Sequence, residues 1–247
     1  MFRKIVVLGF TVVILLITIP LGAELEIDLE TGLIFSGYND VAIPGDTGTK
    51  FSLTEELETE ITPFYRLRLF YDFNAKHHLG ILLAPLTIKS KGSLDRILTY
   101  QNEYYASGTQ LDVTYTFNSY RLIYRYDFLR KEKLLIGAGF TAKIRDAVIR
   151  VKGDGVSSSK KNVGFVPILH FRIDWNFHDK FSLLMDGDAL AAPQGRAEDV
   201  LTAIVYQVSD KFKIKAGYRI LEGGADNDAV YTFSLFNYAV LGAIINF

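Results

Sequence analysis

The last stretch of the chain, Tyr231 to Phe247, narrows the possible folds more than any other. Taken at every second position it reads Tyr231, Phe233, Leu235, Asn237, Ala239, Leu241, Ala243, Ile245 and Phe247, apolar or aromatic everywhere but Asn237. The positions between them, Thr232 to Asn246, mix small, polar and aromatic side chains. Successive side chains of a strand point to opposite faces, so alternation of this length predicts one long strand with a different environment on each side. A strand crossing a bilayer needs about 9–11 residues, and this one is long enough.

The opposite end of the chain is organised for export. Arg3 and Lys4 precede an almost wholly apolar run from Ile5 to Ile19, Pro20 breaks it, and Leu21-Gly22-Ala23 stands before Glu24. A basic start, a short apolar run and a small residue form the layout of a cleaved secretory signal. The run falls short of the ~20 residues of a helical span. Cleavage after Ala23 would leave residues 24–247 as one domain. With no cysteine in the chain, neither a lipid anchor at the cleavage site nor a disulfide is available. Stability must then come from another source, and a closed sheet supplies one.

The 247 residues carry 27 basic and 28 acidic side chains. Loss of Arg3 and Lys4 leaves 25 basic residues against 28 acidic ones, a balance that gives no reason to expect nucleic acid as a partner. No stretch beyond the signal has 18 consecutive apolar residues, which excludes helical membrane spans.

Gly242, Ile245 and the terminal Phe247 resemble the closing-strand signal of Gram-negative outer-membrane β-barrels, with Val240 where a polar residue is usual. The resemblance implies an all-β, up-and-down transmembrane barrel in the bacterial outer membrane. It also implies the lipid bilayer, lipopolysaccharide and the barrel-assembly machinery as partners, and a monomer.

Four short polar breaks containing lysine, 72–76, 127–131, 176–180 and 208–212, alternate with five longer ones rich in Gly, Asp, Asn and Ser: 38–50, 90–110, 152–162, 189–197 and 222–229. Short turns at one end and longer loops at the other are the asymmetry of outer-membrane barrels. Nine connections predict ten strands, with eight and twelve as alternatives. Aromatics gather at the short-turn ends, among them Phe70, Tyr71, Phe73, Tyr124, Tyr126, Phe128, Trp175, Phe177, Phe181, Tyr206 and Phe212, where an interfacial girdle belongs. A lipocalin-like soluble barrel would turn its apolar rows inward. The strand lengths and the girdle favour lipid outside instead.

With apolar rows outward, the lumen receives Glu58, Glu60, Arg66, Arg68, Arg121, Arg125, Lys143, Arg145, His170, Arg172, Asp174, Asp186, Asp188 and Arg219. Eight strands enclose just enough room for side chains, and ten enclose little more. Charges away from bulk water need partners, so the expected lumen is a plug of ion pairs, with a narrow porin-like conduit as the alternative.

Catalysis has little support. His170 lies mid-strand, Asp186 and Asp188 imitate only half of a protease-like constellation, and no G-x-S-x-G elbow occurs. No catalytic residue, metal site or cofactor is assigned. The acidic loops from Asp186 to Asp199 and from Glu222 to Asp228 are weaker candidates for calcium. The reading is a structural or surface-interaction protein, with a hydrolase third behind a pore. N-terminal sequencing of the membrane-extracted protein should begin at Glu24, and a chain still starting at Met1 would overturn the export signal.

Overall fold

The computed structural model describes residues 24–192 and 195–247, apart from the side chain of Ala192; the segment read as a signal lies outside them. Strand β1 spans Glu24–Ala42 and β2 Thr62–Asp72. Strand β3 comes in two pieces, His77–Ala84 and Thr87–Gly92. Then follow β4 (Leu111–Lys131), β5 (Leu134–Gly153), β6 (Val156–His178), β7 (Phe181–Ala192), β8 (Gly195–Gln207), β9 (Phe212–Asn227) and β10 (Val230–Asn246). Each strand runs antiparallel to its sequence neighbours, and β10 pairs with β1 from Glu26↔Asn246 to Ala42↔Tyr231, closing the barrel. The ten-strand, all-β expectation holds.

At the end carrying the termini, short segments at 73–76, 132–133, 179–180 and 208–211 join the strands. The far end differs from the sequence reading. The stretches 152–162, 189–197 and 222–229, taken as loops, are mostly strand, with pairs such as Lys152↔Ser157, Ala191↔Arg196 and Asn227↔Val230. Their Gly, Ser and Asp content weakens a strand without preventing pairing when the neighbouring strand continues alongside. Between β5 and β6 the turn is only Asp154-Gly155, with φ of 48° and 77°, the paired left-handed geometry of a tight hairpin in which glycine avoids a Cβ clash.

Strand β4 shows how the lumen is filled. Its inner face runs Leu111, Val113, Tyr115, Phe117, Ser119, Arg121, Ile123, Arg125 and Asp127, and all but Phe117 are buried. Nearer the termini that face is largely ionic, and Tyr120, Leu122, Tyr124 and Tyr126 are exposed on the outside. Toward the far end the polarity reverses: the inner face is apolar, and the outer positions are Asp112, Thr114, Thr116 and Asn118. Strand β5 repeats the change, with Lys143 inside and Ile144 outside lower down, but Ile149 and Val151 inside and Arg150 and Lys152 outside higher up. The expected ionic rows therefore fill only half of the barrel.

The apolar half is packed by the two long connections, of which 43–50 and 93–110 were expected to be surface loops. Segment 43–61 contributes Ile43, Phe51, Leu53 and Leu57, and segment 93–110 contributes Leu94, Leu98, Tyr100 and Tyr105. They join Val113, Tyr115, Ile149, Val151 and Phe236 in one buried cluster. Two short strands, Leu98–Tyr100 and Glu103–Tyr105, form a hairpin whose tyrosines donate to the carbonyls of Ile149 at 2.9 Å and Val151 at 3.0 Å. Arg96 clamps the outer side, donating to both carboxylate oxygens of Glu56 and to the Lys50 carbonyl at 2.8 Å. These hydrogen bonds hold the Glu56 carboxyl below the usual carboxylate range.

Several face assignments change as a result. Leu57 is buried in the cap, and Glu58 and Glu60, read as luminal, are exposed. The segment before β2 is cap rather than wall. In β3 the inner face is His78, Gly80, Leu82 and Ala84. Phe70 leaves the expected girdle and points inward, packed with Leu82, Ala84 and Ile123, whereas Phe73, Tyr124, Tyr126, Phe128, Trp175, Phe177, Phe181 and Phe212 are exposed as expected.

Leu53 and Leu98 are buried at 0% and 1% exposure, so changing each to Ala should cost about 2–5 kcal/mol of local stability. Limited proteolysis should then cut within 43–61 or 93–110 while the barrel core persists. Unchanged protease resistance would show that the cap is not held by this core.

Candidate functional site

The site the fold builds is the ionic half of the lumen. Glu26, Asp28 and Glu30 come from β1, Arg66 and Arg68 from β2, Arg121, Arg125 and Asp127 from β4. His170, Arg172 and Asp174 come from β6, Asp186 and Asp188 from β7, Asp199 from β8, and Lys215 and Arg219 from β9. Alternation aims each of them inward, away from the apolar outer rows.

Asp199 sits at a crossing point. It accepts from Arg66 Nη2 at 2.9 Å, from Arg219 Nη1 at 2.5 Å and from Arg121 Nη2. Arg219, wholly buried, also donates to both carboxylate oxygens of Glu30, at 2.8 and 3.1 Å. Lys215 reaches across β10 to Asp28 at 2.6 Å and to Glu30 at 2.8 Å. A Cβ on Gly242 would come within 2.7 Å of Lys215 Cε and 2.5 Å of the Leu29 carbonyl oxygen. The glycine of the terminal signal thus also leaves Lys215 its passage.

A second group gathers at β6 and β7. Arg68 pairs with Asp186 at 2.9 Å and lies 3.5 Å from Asp28. Arg121 joins Asp188, which also accepts from Thr141 Oγ1 at 2.6 Å. His170 Nδ1 lies 3.0 Å from Asp188 Oδ1. Arg172 bridges Glu26, Asp174 and Asp186 at 3.6–3.8 Å. At the terminal mouth His78 stands between Asp72 at 2.6 Å and Asp127 at 2.8 Å, and Asp127 also accepts from Arg125 Nε at 2.8 Å. Lys143 differs: its ammonium lies 5.0 Å from the Phe117 ring centre, where the ionic and apolar layers meet.

Of the luminal residues predicted from sequence, Arg66, Arg68, Arg121, Arg125, His170, Arg172, Asp174, Asp186, Asp188 and Arg219 come together in this network. Arg145 does not. It is half-buried nearer the far end and donates to Asn162 Oδ1 at 2.5 Å, because by that level the inner wall has begun to turn apolar. Glu58 and Glu60, as noted, are in the cap.

The sequence reading missed Asp199 as a luminal residue and assigned it to a loop; Asp186, Asp188 and Asp199, weighed there as calcium ligands, are occupied by arginines. Strand β8 is apolar on both faces around it, with Leu201 and Ala203 inside and Val200 and Ile204 outside, so no alternation marked its parity. For Asp28, Glu30 and Lys215 the signal was present, since each alternates with an apolar outer row. Ile245 of the terminal signal pairs with Ile27 and Phe212, and the Phe247 amide donates to the Leu25 carbonyl at 3.0 Å.

A closed antiparallel barrel with an apolar outer belt and an ion-paired interior has the fold of the bacterial outer-membrane β-barrel class. Among solved structures the chain is similar to the outer-membrane protease OmpT from Escherichia coli, at 9% identity and a TM-score of 0.59, over 91% of this chain and 97% of that one. Ail, the attachment invasion locus protein of Yersinia pestis in complex with the heparin analogue sucrose octasulfate, aligns over 92% of this chain and 99% of its own, at 14% identity and a TM-score of 0.42. No protein-family model and no curated protein matches the chain.

Asp199→Asn would leave the guanidinium groups of Arg66, Arg121 and Arg219 short of a buried counter-charge, and should destabilise the refolded barrel by about 3–5 kcal/mol. Asp174→Asn, at the less buried edge of the network, should cost much less. Urea unfolding in detergent checks both; equal midpoints would remove Asp199 from its central role.

Proposed function

We propose that this protein is an integral outer-membrane barrel whose lumen is sealed, and that it acts at the cell surface as a structural or interaction protein without catalysis. The observation that supports the reading is the reversal along β4. Where the outer face is apolar the inner face is ion-paired, and where the outer face is polar the inner face is dry and packed by the cap. A belt of exposed side chains including Leu29, Leu33, Ile81, Leu122, Phe140, Leu169, Trp175, Ile204, Ile214 and Leu241 circles the wall. In water such a continuous apolar surface favours aggregation; in acyl chains it is solvated.

The terminal end, with its short turns, faces the periplasm in this reading and the cap faces outward, as in other bacterial barrels. Lipid, with lipopolysaccharide in the outer leaflet, surrounds a monomer, and Gly242, Ile245 and Phe247 address the barrel-assembly machinery. Two layers block the path along the axis: charges neutralised by one another, then a packed apolar core. His170 and Asp188, the pair closest in type to a catalytic dyad, are each 2% exposed, which keeps them from a substrate in either compartment.

Planar-bilayer recording of the refolded chain should show a flat baseline at about 100 mV. Reproducible unitary steps would favour the narrow conduit over the sealed barrel.

A further inference from the structure

Strand β6 is paired with β5 over most of its length but with β7 over less than half of it. Its register with β5 runs unbroken from Gly153↔Val156 to Leu134↔Trp175. Its register with β7 begins at Leu169↔Ala189, and β7 ends at Ala192. From Val156 to Ile168 the other side of β6 therefore has no strand partner among the described residues, and no other backbone hydrogen bond is made to it. A strand edge of this length is a template for a further strand. Pro167, which has no N–H, stands near its membrane-proximal end, a position prolines take on edge strands.

The chemistry of this edge selects the occupant. The hairpin tip carries Arg150, Lys152, Lys160 and Lys161 against Asp146 and Asp154. Asp146 lies 3.6 Å from Lys161, and Asp154 accepts from Thr109 at 2.8 Å. Arg150 and Lys152 have no carboxylate within 4 Å among the described residues. Val163, on the outer face, is 59% exposed, a side-chain contact for an added strand, whereas Phe165 pairs with Ile144 and stands at the level of the lipid-facing Tyr120. Two copies of this chain joined edge to edge would set basic side chains against basic ones, and like charges opposite each other in a sheet are unfavourable.

We propose that the free edge of β6, from Val156 to Gly164, accepts an extended acidic peptide segment of another protein as an additional strand. Main-chain hydrogen bonds would give affinity, and the basic tip with Val163 would give selectivity, as in other strand-addition interfaces. The proposal rests on the surface-interaction reading and adds the kind of partner and its place.

The test uses the full chain refolded in a neutral detergent and a fluorescent peptide alternating Val or Thr with Glu, followed by anisotropy. A matched peptide N-methylated at alternate residues keeps the charge but loses the ladder donors on one side. Saturable binding is expected, weakened at least tenfold by N-methylation and at least tenfold in the Lys160→Glu, Lys161→Glu variant. Both substitutions are on the protruding hairpin, and unboiled-gel migration verifies the barrel. Equal binding of the two peptides would reduce the effect to charge alone and overturn the proposal, as would an absence of saturable binding. A dimer in detergent that the variant loses would also overturn it, by naming a second copy as the occupant. Ion conduction in bilayers would sink the sealed-lumen reading without touching this result.

Discussion

A charge enclosed by a barrel wall has no bulk water to solvate it, so its counter-charge must come from another strand. Asp199 of β8 meets arginines from β2, β4 and β9, and Lys215 of β9 meets carboxylates of β1 two strands away. These bonds span the lumen rather than following the ladder. Because a slip of one residue sends a whole strand's side chains to the opposite face, any misregistered β8 would carry Asp199 into lipid and leave three guanidinium groups without it. Buried ion pairs of this kind gain little over an apolar filling of the same shape, but they are costly to break. Their contribution is to fix which strand lies where.

The same sheet meets two solvents along its length, and each dictates a different interior. In lipid the outer rows are buried at no structural expense, which leaves the inner rows free to be polar. Beyond lipid the outer rows face water, and the apolar side chains have to turn inward. Without the long ionic side chains of the other half, the wall leaves room inside a ten-stranded barrel. Segments 43–61 and 93–110 supply the missing volume, which explains why the two longest connections carry Phe51, Leu53, Leu57, Leu94, Leu98 and Tyr105 rather than only the Gly, Asp and Ser of solvated loops.

Most of the membrane half could be read from sequence because its alternation is strict: Tyr120, Leu122, Tyr124 and Tyr126 against Arg121, Arg125 and Asp127 leave no doubt about parity. The far half was harder for a physical reason. In β4 the apolar residues change from odd positions, 111 to 117, to even ones, 120 to 126, without a break in the strand, and a single face assignment cannot represent such a change. The flip itself was visible in the sequence and locates the water boundary. Asp199 was hidden by a strand apolar on both sides. The hairpins at 152–162 and 222–229 were hidden by turn-forming residues that pair only because the adjacent strand extends as far.

The open edge of β6 is consistent with where that boundary lies. Inside hydrocarbon an unpaired row of N–H and C=O groups costs several kcal/mol per group, and open sheet edges do not occur there. Strand β6 keeps its second partner through Leu169, beside the exposed apolar belt, and loses it within a few residues of the level at which β4 and β5 exchange apolar for polar outer faces. Water can satisfy the edge beyond Phe165, and in the few residues before it Pro167 has no N–H to leave unpaired. A barrel sealed along its axis, as proposed, would act only through the surfaces it presents, and most of those are closed by paired strands or covered by the cap. Among the described residues the protruding side of β6 is a long stretch of wall whose backbone remains available, so the length of β7, by ending early, determines how much of it the outside can use.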